Sequence, residues 1–490
     1  MNFNYKNYRK SITKAFIITP IIALLLAGCS DDSLDTVPET SISTETAFST
    51  PAKILAQVNG LYAQFSNPSL YGGRFIIFNE QRGNEFSQND GNNSTGANVW
   101  NQSITSSGDF VNSVWSVAYT AINFSNILID NLANTTVVTD DLRKNYIAEA
   151  KFIRAISYLS LVQTYAKPYA QNSAAPALPL RLKGNTSGGL NDFAFSSVAD
   201  VYTQILKDLD EAEADLPESY STAILNASRA HKATAIALKT RTYLSKGDYA
   251  KVVSEASKIV PQSAPFQYVS GSLTHRLEPN IATVFGGLYV GSEAIFTIPF
   301  TTAAEAPGLQ SALGPNYLTP VLYFNSAGII ANDVFASPTS TDARKALVIT
   351  NSTGQKLLNK FKKNSAPFTD FVPVIRYAEI ILNYAEAAAQ NNNLPLARTL
   401  LSAVRNRSDA AYVFTTGVTT KDELIATILT ERRIELVGEG FRTPDLLRRV
   451  QTLPGKTGNA GVAPEVLPTA GNYVWAIPSN ELAYNKLAPR

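Results

Sequence analysis

The chain is poor in the residues that do metal and thiol chemistry: its 490 positions include one Cys, two His and one Met. A single Cys excludes an intramolecular disulfide and every Cys-based zinc cluster. His231 and His275 alone leave little for a histidine-ligated metal or a His-centred triad. Asp90, Asp109 and the Asn side chains near them offer oxygen atoms but lack the spacing of a calcium loop. No cofactor or resident metal is therefore expected. No basic run occurs past residue 14. The formal charge of +2 comes from the first 28 residues, which hold Lys6, Arg9, Lys10 and Lys14 and no acid. The remainder sets 38 basic against 40 acidic side chains, a net charge of −2. A nearly neutral body of that kind has no electrostatic footprint for nucleic acid.

What the chain does have is ordinary globular chemistry. With 45% hydrophobic and 17% charged residues, 27 Gly and 25 Pro, it has room for two or three domains' worth of core and is not disordered over most of its length.

The N-terminus reads as a targeting segment. Four cations precede an apolar run from Ala15 to Ala27, interrupted only by Thr19 and Pro20. That run is shorter than the roughly 20 apolar residues a transmembrane helix needs. Leu26, Ala27 and Gly28 then lead into Cys29. Small side chains before a scissile bond suit a peptidase, and the Cys29 sulfur is the nucleophile that receives lipid. Several acyl chains on one residue make an anchor that is effectively permanent. Ser30, Asp31 and Asp32 resemble the surface-export signal of Bacteroidota lipoproteins, which implies the outer face of an outer membrane. From Ser33 to about Thr50 the chain is Ser/Thr/Pro/Glu-rich and aperiodic, the composition of a tether.

Beyond Pro51 the apolar spacing becomes helical. Ile54, Leu55, Val58, Leu61, Tyr62 and Phe65 form one stripe, and a second helix is predicted from Asn112 to Leu132. A third, from Asp140 to Ala166, has an apolar face wide enough for burial on two sides. Ser197 and Asp200 resemble a capping box that opens a helix ended by Pro217. A hairpin of helices is predicted from Ala227 to Val260, turning at Gly247 and Asp248, and another from Val374 to Arg407, turning at Asn391, Asn392 and Asn393. Small residues at every third or fourth position, with Tyr243 before the turn and Tyr249 after it, resemble a tetratricopeptide unit. Between the hairpins, Gly and Pro separate short apolar runs such as Ala294 to Phe300 and Pro320 to Phe324, the pattern of an irregular insertion with a few strands. A last helix starts at a Thr420 and Glu423 capping box and runs to Gly438. Its Glu431, Arg432, Arg433 and Glu435 suit a salt-bridge network between helices better than the flanking acid pair that glycoside hydrolysis requires. Glu379 and Glu386, on one helical face, take the same structural reading.

At this point the residues resemble a family. Cys29 with Ser30, Asp31 and Asp32; Glu149, Ala150, Arg154, Ala155, Tyr158 and Leu161; and Leu209, Asp210, Glu211 and Ala212 before Leu216 and Pro217 are all similar to the SusD/RagB lipoproteins. So are Arg376, Tyr377, Ala378, Glu379, Leu382, Tyr384, Ala385 and Glu386, and then Val404, Arg405, Asn406 and Arg407. Glu431, Arg432, Arg433, Glu435, Leu436, Glu439, Gly440, Arg442, Asp445, Leu446 and Arg448 resemble the family's late signature helix, with Ile477, Pro478 and Glu481 following. Two departures are local: Thr443 and Pro444 stand in place of an aromatic pair, and Ser408 and Asp409 in place of a small-residue turn.

The resemblance implies a mostly α, tetratricopeptide-like scaffold with a partly β insertion. Its segments would be a signal peptide (1–28), a tether (29–50), an N-terminal helical region (51–260), the insertion (261–373) and a C-terminal helical region of SusD/RagB type (374–490). It also implies a surface lipoprotein that binds oligosaccharide, or for some members peptide, and passes it to a SusC-like TonB-dependent transporter without breaking bonds. A helical-repeat adaptor that binds only protein is the other reading. Sugar binding needs aromatic faces and a rim of amides and Arg. Where scaffold motifs are absent, that mix occurs at Tyr71, Arg74, Asn79, Gln81, Arg82, Trp100 and Asn101, and in the insertion at Tyr289, Tyr317 and Tyr323. Trp115 and Trp475 are assigned to core.

Overall fold

Helix boundaries in this chain are set by capping side chains and by left-handed glycines, and the apolar stripes between them decide which helices touch. A computed structural model describes residues 44–187, 189, 191–286, 290–414 and 420–489. Cys29, the signal segment and Tyr289 lie outside the described residues. The chain divides into two units, Met1–Ile54 and Leu55–Arg490. The described part of the first holds a short helix, Thr44–Ala47, and the opening turn of α1 (Pro51–Phe65). All that follows concerns the second.

After α1 come α2 (Arg74–Arg82), the short strand β1 (Phe86–Gln88), α3 (Asp109–Leu132), α4 (Asp140–Tyr165), α5 (Val198–Asp215), and the hairpin of α6 (Lys232–Lys246) and α7 (Tyr249–Ala256). The region after that hairpin contributes β2 (Ala294–Ile298), β3 (Leu322–Phe324), β4 (Val348–Thr350), β5 (Lys356–Leu358) and β6 (Val372–Arg376). The chain then returns to helix in α8 (Tyr377–Gln390), α9 (Leu394–Ser408), α10 (Lys421–Leu436) and α11 (Arg442–Arg448), followed by the hairpin strands β7 (Lys456–Gly458) and β8 (Gly461–Ala463) and a last helix, α12 (Ser479–Tyr484). The architecture is mostly α, with two-stranded sheets only among the described residues. No described helix is long and apolar enough to cross a membrane.

The expected capping boxes form. Ser197 Oγ accepts from Asp200 N (3.1 Å) while Asp200 Oδ2 accepts from Ser197 N (3.3 Å). Glu423 N donates to Thr420 Oγ1 (3.3 Å), and Thr420 N to Glu423 Oε2 (2.9 Å). Each such cap is worth about 1 kcal/mol to its helix. Gly247, at φ 75°, ends α6 and turns the chain into α7. α4 is buried almost all round, packed between α3 and α5, as its wide apolar face requires. Contacts pass in turn from α5 to α6, α7, α8 and α10, so each helix covers the stripe of its neighbour.

Three boundaries differ from the sequence reading. α3 begins at Asp109 rather than Asn112, because an acid in the first turn complements the helix N-terminus. The first hairpin begins at Lys232, not Ala227, since Arg229 is extended and its guanidinium is drawn onto the buried Glu149 carboxylate (2.7 and 2.8 Å). Val374 and Ile375 are strand, not helix: β6 pairs antiparallel with β2, Val372 opposite Ile298, where β-branched side chains pack well.

Three charged residues of α10, Glu431, Arg432 and Glu435, are buried. Arg376 Nε donates to Glu439 Oε2 (2.7 Å) and its Nη1 to Glu435 Oε1 (3.1 Å), with Glu293 also on Nη1. Arg407 reaches Glu435 (2.6 Å) and Glu293 (2.9 Å), and Arg344 reaches Glu431 (2.5 Å) and Glu435 (3.1 Å). Glu379 pairs with Arg241 and Glu386 with Arg448, both at 2.6 Å. Burial alone would raise the Glu435 pKa, but Arg407, Arg376 and Arg344 together hold it well below the usual carboxylate range. These acids are structural ion pairs that join α8, α9, α10 and the insertion.

Candidate functional site

The N-terminal loop and the insertion meet at one short antiparallel ladder. β1 pairs with β3 so that Ser87 stands opposite Tyr323, with Phe86 opposite Phe324 and Gln88 opposite Leu322. A third segment, the β7 hairpin, closes on them: Ser87 Oγ donates to Thr457 O (2.5 Å) and Ala460 N to Gln88 O (3.0 Å). Between β1, β3, the 353–356 turn and residues 457–459 lies a cleft of about 600 Å³.

Its walls combine the Tyr323 ring, with the buried Phe324 beside it, with amides and hydroxyls. Tyr323 is half-buried, and its phenol oxygen accepts from Asn459 N (3.0 Å). Asn459 Nδ2 donates to Asn89 Oδ1 (2.7 Å), and Gln355 Nε2 reaches the same oxygen at 3.4 Å. Thr353, Ser326 and the exposed Lys356 complete the rim. The Asn and Gln side chains orient one another, so little ordering is left to be done when a hydroxyl-rich ligand arrives. Among the described residues no group of three or more His, Cys, Asp or Glu could hold a metal ion.

The backing of this cleft is held from behind. Glu85, 1% exposed, accepts from Arg433 Nε (2.8 Å) and from Ile329 N (2.6 Å), and lies 3.2 Å from Arg442. One carboxylate thereby ties the start of β1 to α10, α11 and the segment after β3. Lys456 donates to the carbonyls of Gln81 and Gly83 at the C-terminal end of α2, a position that favours a cation. Burial, with Arg82 nearby, pushes the Lys456 pKa well down.

Of the residues singled out in the sequence, Tyr323 lines the cleft and several others support it without reaching it. Trp100 is fully buried; its Nε1 donates to Phe86 O (3.0 Å), so the ring is a brace under β1 and not a platform for ligand. Tyr317 is also fully buried, its hydroxyl on Gly438 O (3.2 Å) and its ring stacked on Phe361. Gln81 is buried and donates to Gln88 Oε1 and Thr95 O, both at 2.7 Å. Arg82, 2% exposed, donates to Gln102 (3.0 Å) and Asn472 O (2.6 Å), and burial lowers its pKa to about 10. Tyr71 is 7% exposed and stacked on Phe65, with its hydroxyl 3.1 Å from Ser160. Each of these five is corrected to core: all are buried, and the polar atoms of Trp100, Tyr317, Arg82 and Tyr71 go to protein partners, while Gln81 donates to protein partners and leaves its Oε1 unbonded.

The remaining residues lie elsewhere. Asn79 is half-buried and borders, with Tyr71, a cavity of about 40 Å³, enough for water and too small for a sugar ring. Arg74 is half-buried, bonded to Ser311 (3.1 Å) and Gln310 (2.9 Å) with its guanidinium over Phe110. Asn101 is half-buried and its Oδ1 accepts from Ser103 N (3.1 Å). Asn89, Gln355 and Asn459 were not anticipated. The signal for two of them is turn chemistry: Asn351 to Gly354 precedes Gln355, and Gly458, Asn459, Ala460 and Gly461 make the turn between β7 and β8.

Known proteins share this fold. Residues 321–486 match the model of the SusD family, and residues 32–244 match a family model described as starch-binding associating with outer membrane. SusD-like protein P2 of Formosa agariphila is 26% identical, over 96% of this chain and 98% of its own length. A SusD superfamily protein from Bacteroides fragilis has a crystal structure that aligns with a TM-score of 0.80 at 28% identity, covering 90% of this chain and 100% of that one. A laminarin-binding SusD-like protein shares the fold at a TM-score of 0.69 and 19% identity, covering 89% of this chain and 98% of that one.

Proposed function

The chain belongs to the SusD/RagB family, and from that premise we propose that it is a cell-surface lipoprotein that captures oligosaccharide in the cleft at Tyr323 and passes it, unaltered, to a SusC-like TonB-dependent transporter. The observation that carries the reading is the composition of the cleft: one aromatic face, a mutually ordered set of amides, hydroxyls and a lysine, contributed by three distant segments. Aromatic rings stack on the apolar faces of sugars, and pre-ordered amides replace the water stripped from hydroxyls. The starch-binding description of the matched family model, and the laminarin binding of a protein with this fold, support a carbohydrate as the ligand. Capture without cleavage is supported by Glu431 and Glu435 of α10, which are paired with arginines and do not line the cleft. Anchoring through Cys29 follows from the sequence segment before it.

The test is a glycan array probed with the purified chain, followed by calorimetry on the strongest binder. Tyr323→Ala is expected to lose about 1 kcal/mol of binding free energy, roughly fivefold in affinity. Binding of peptides with no glycan bound would overturn the reading. Cys29→Ala should release the protein from the membrane fraction, and isolation of the chain from solubilised outer membranes should bring a transporter with it. Recovery of the chain alone would remove the transporter from the proposal.

A further inference from the structure

A second groove, of about 710 Å³, lies apart from the Tyr323 cleft and shares no residue with it. Its floor is α3, one wall is the segment around residues 181–186 with Phe193, and the other is α12 at the C-terminus. Tyr484 on α12 is 70% exposed and lines this groove. Tyr119 and Phe193 are half-buried, and Trp115 lies at the floor, 5% exposed.

The polar groups around those rings are ordered and electrically balanced. Glu481 accepts from Trp115 Nε1 (3.4 Å) and from Asn485 Nδ2 (2.7 Å), and lies 3.7 Å from the Arg181 guanidinium. Arg181 in turn sits over Phe193 at 4.4 Å and Tyr119 at 5.8 Å. Lys183 is matched by Asp130 at 3.2 Å. Each cation of the lining thus has an acid beside it, which gives the groove no net charge with which to select an anion or a cation. Ser116, Thr120 and Asn480 place exposed hydroxyl and amide groups along the rim.

We propose that this groove is a second binding site, for an uncharged oligosaccharide, with Tyr484 as the stacking face and Ser116, Thr120 and Asn480 as hydroxyl partners. An exposed ring next to ordered, saturated ion pairs is the arrangement that gains most from a ligand with one apolar face and many neutral hydroxyls. A charged ligand finds each cation of the lining already beside an acid, and gains no unmatched charge to bind. The inference rests on the carbohydrate reading of the protein but not on the Tyr323 cleft.

An array of neutral α- and β-linked hexasaccharides identifies the probe, and calorimetry then counts sites. The wild-type chain should bind about two molecules; Tyr484→Ala and Tyr323→Ala should each weaken one of the two sites about fivefold and leave the other at its wild-type affinity, and the double variant should weaken both. Tyr484 is a surface ring, so its removal leaves the fold intact, checked by an unchanged melting temperature. One molecule per chain, weakened by Tyr323→Ala and untouched by Tyr484→Ala, would overturn the second site and leave the first. Weakening by Tyr484→Ala alone would uphold this groove and refute the cleft. An array on which the wild-type chain binds no neutral glycan would overturn both.

Discussion

At the scale of single residues, the chain separates groups that hold the cleft from groups that face it. Trp100 fills space under β1 and has no exposed surface, so Trp100→Ala leaves a cavity and an unpaired Phe86 carbonyl. It should lower unfolding free energy by about 3–5 kcal/mol, read from the denaturant midpoint. Tyr323→Ala, at a half-buried position, should change stability far less while costing affinity. The two variants therefore report on opposite properties. Glu80 makes a different point. One of its oxygens accepts from Gly440 N (2.8 Å), the other has no partner, and burial raises its pKa to about 8. In the unfolded chain the same carboxyl ionises near the ordinary Glu value, so it weakens folding progressively as pH rises from about 4.5 to 8. Glu80→Gln removes that penalty and should raise the melting temperature more at pH 8 than at pH 5.

The residue scale also explains what the sequence could not disclose about the site. An aromatic beside an Asn-rich loop reads identically whether its ring faces in or out. For Trp100 and Tyr317 the direction is decided by the pairing of β1 with β3 and by the arrival of Gly438 and Phe361, all distant in sequence. Tyr323 sits in a continuous apolar run, Pro320 to Phe324, whose composition marks a strand but not which side chain faces outward. Asn459 and Gln355 carry turn signals, but a turn does not announce which other turn it will meet.

At the scale of elements, legibility was much higher, because capping boxes and apolar periodicity are local. The Ser197 and Thr420 boxes, the Gly247 turn and the Asn391–Asn393 turn all lie where the pattern puts them. The errors came where a long-range partner overrode local preference, as when β2 drew Val374 and Ile375 into a strand. Two left-handed glycines allow a graded test. At Gly247 (φ 75°) an added Cβ meets open space, so Gly247→Ala should cost only the backbone term of about 1–2 kcal/mol. At Gly438 (φ 82°) an added Cβ would press into the buried Leu358 side chain beside the Tyr317 ring. Overpacking adds about 1–3 kcal/mol there, so Gly438→Ala should lower the thermal midpoint clearly more than Gly247→Ala.

At the scale of the whole molecule, stability should depend on pH from both sides. The two histidines stack at 5.3 Å in the interior, both rings buried. Burial pushes His231 down to about 3, with His275 adding to the shift, and burial pushes His275 down to about 4. Above about pH 6.5 the rings are neutral folded or unfolded, so they add no pH dependence. Below it the unfolded chain takes up protons that the folded chain refuses, and stability falls as pH falls toward 4. The acids whose pKa the arginines depress, Glu435 and Asp445, extend the same loss to lower pH. Melting temperature should therefore drop between pH 7 and pH 4, and a His231→Gln, His275→Gln double variant should flatten the part of that slope between pH 7 and 5. An unchanged slope between pH 7 and 5 would overturn the assignment to the histidines.

The ladder of β1 and β3, closed by the β7 hairpin, also has a temporal side. Its three strips come from the first, middle and last portions of the polypeptide, and none can form a wall without the other two. The proposed cleft is thus complete only when synthesis and folding are complete, and a chain still emerging, or clipped before β7, lacks one of its walls.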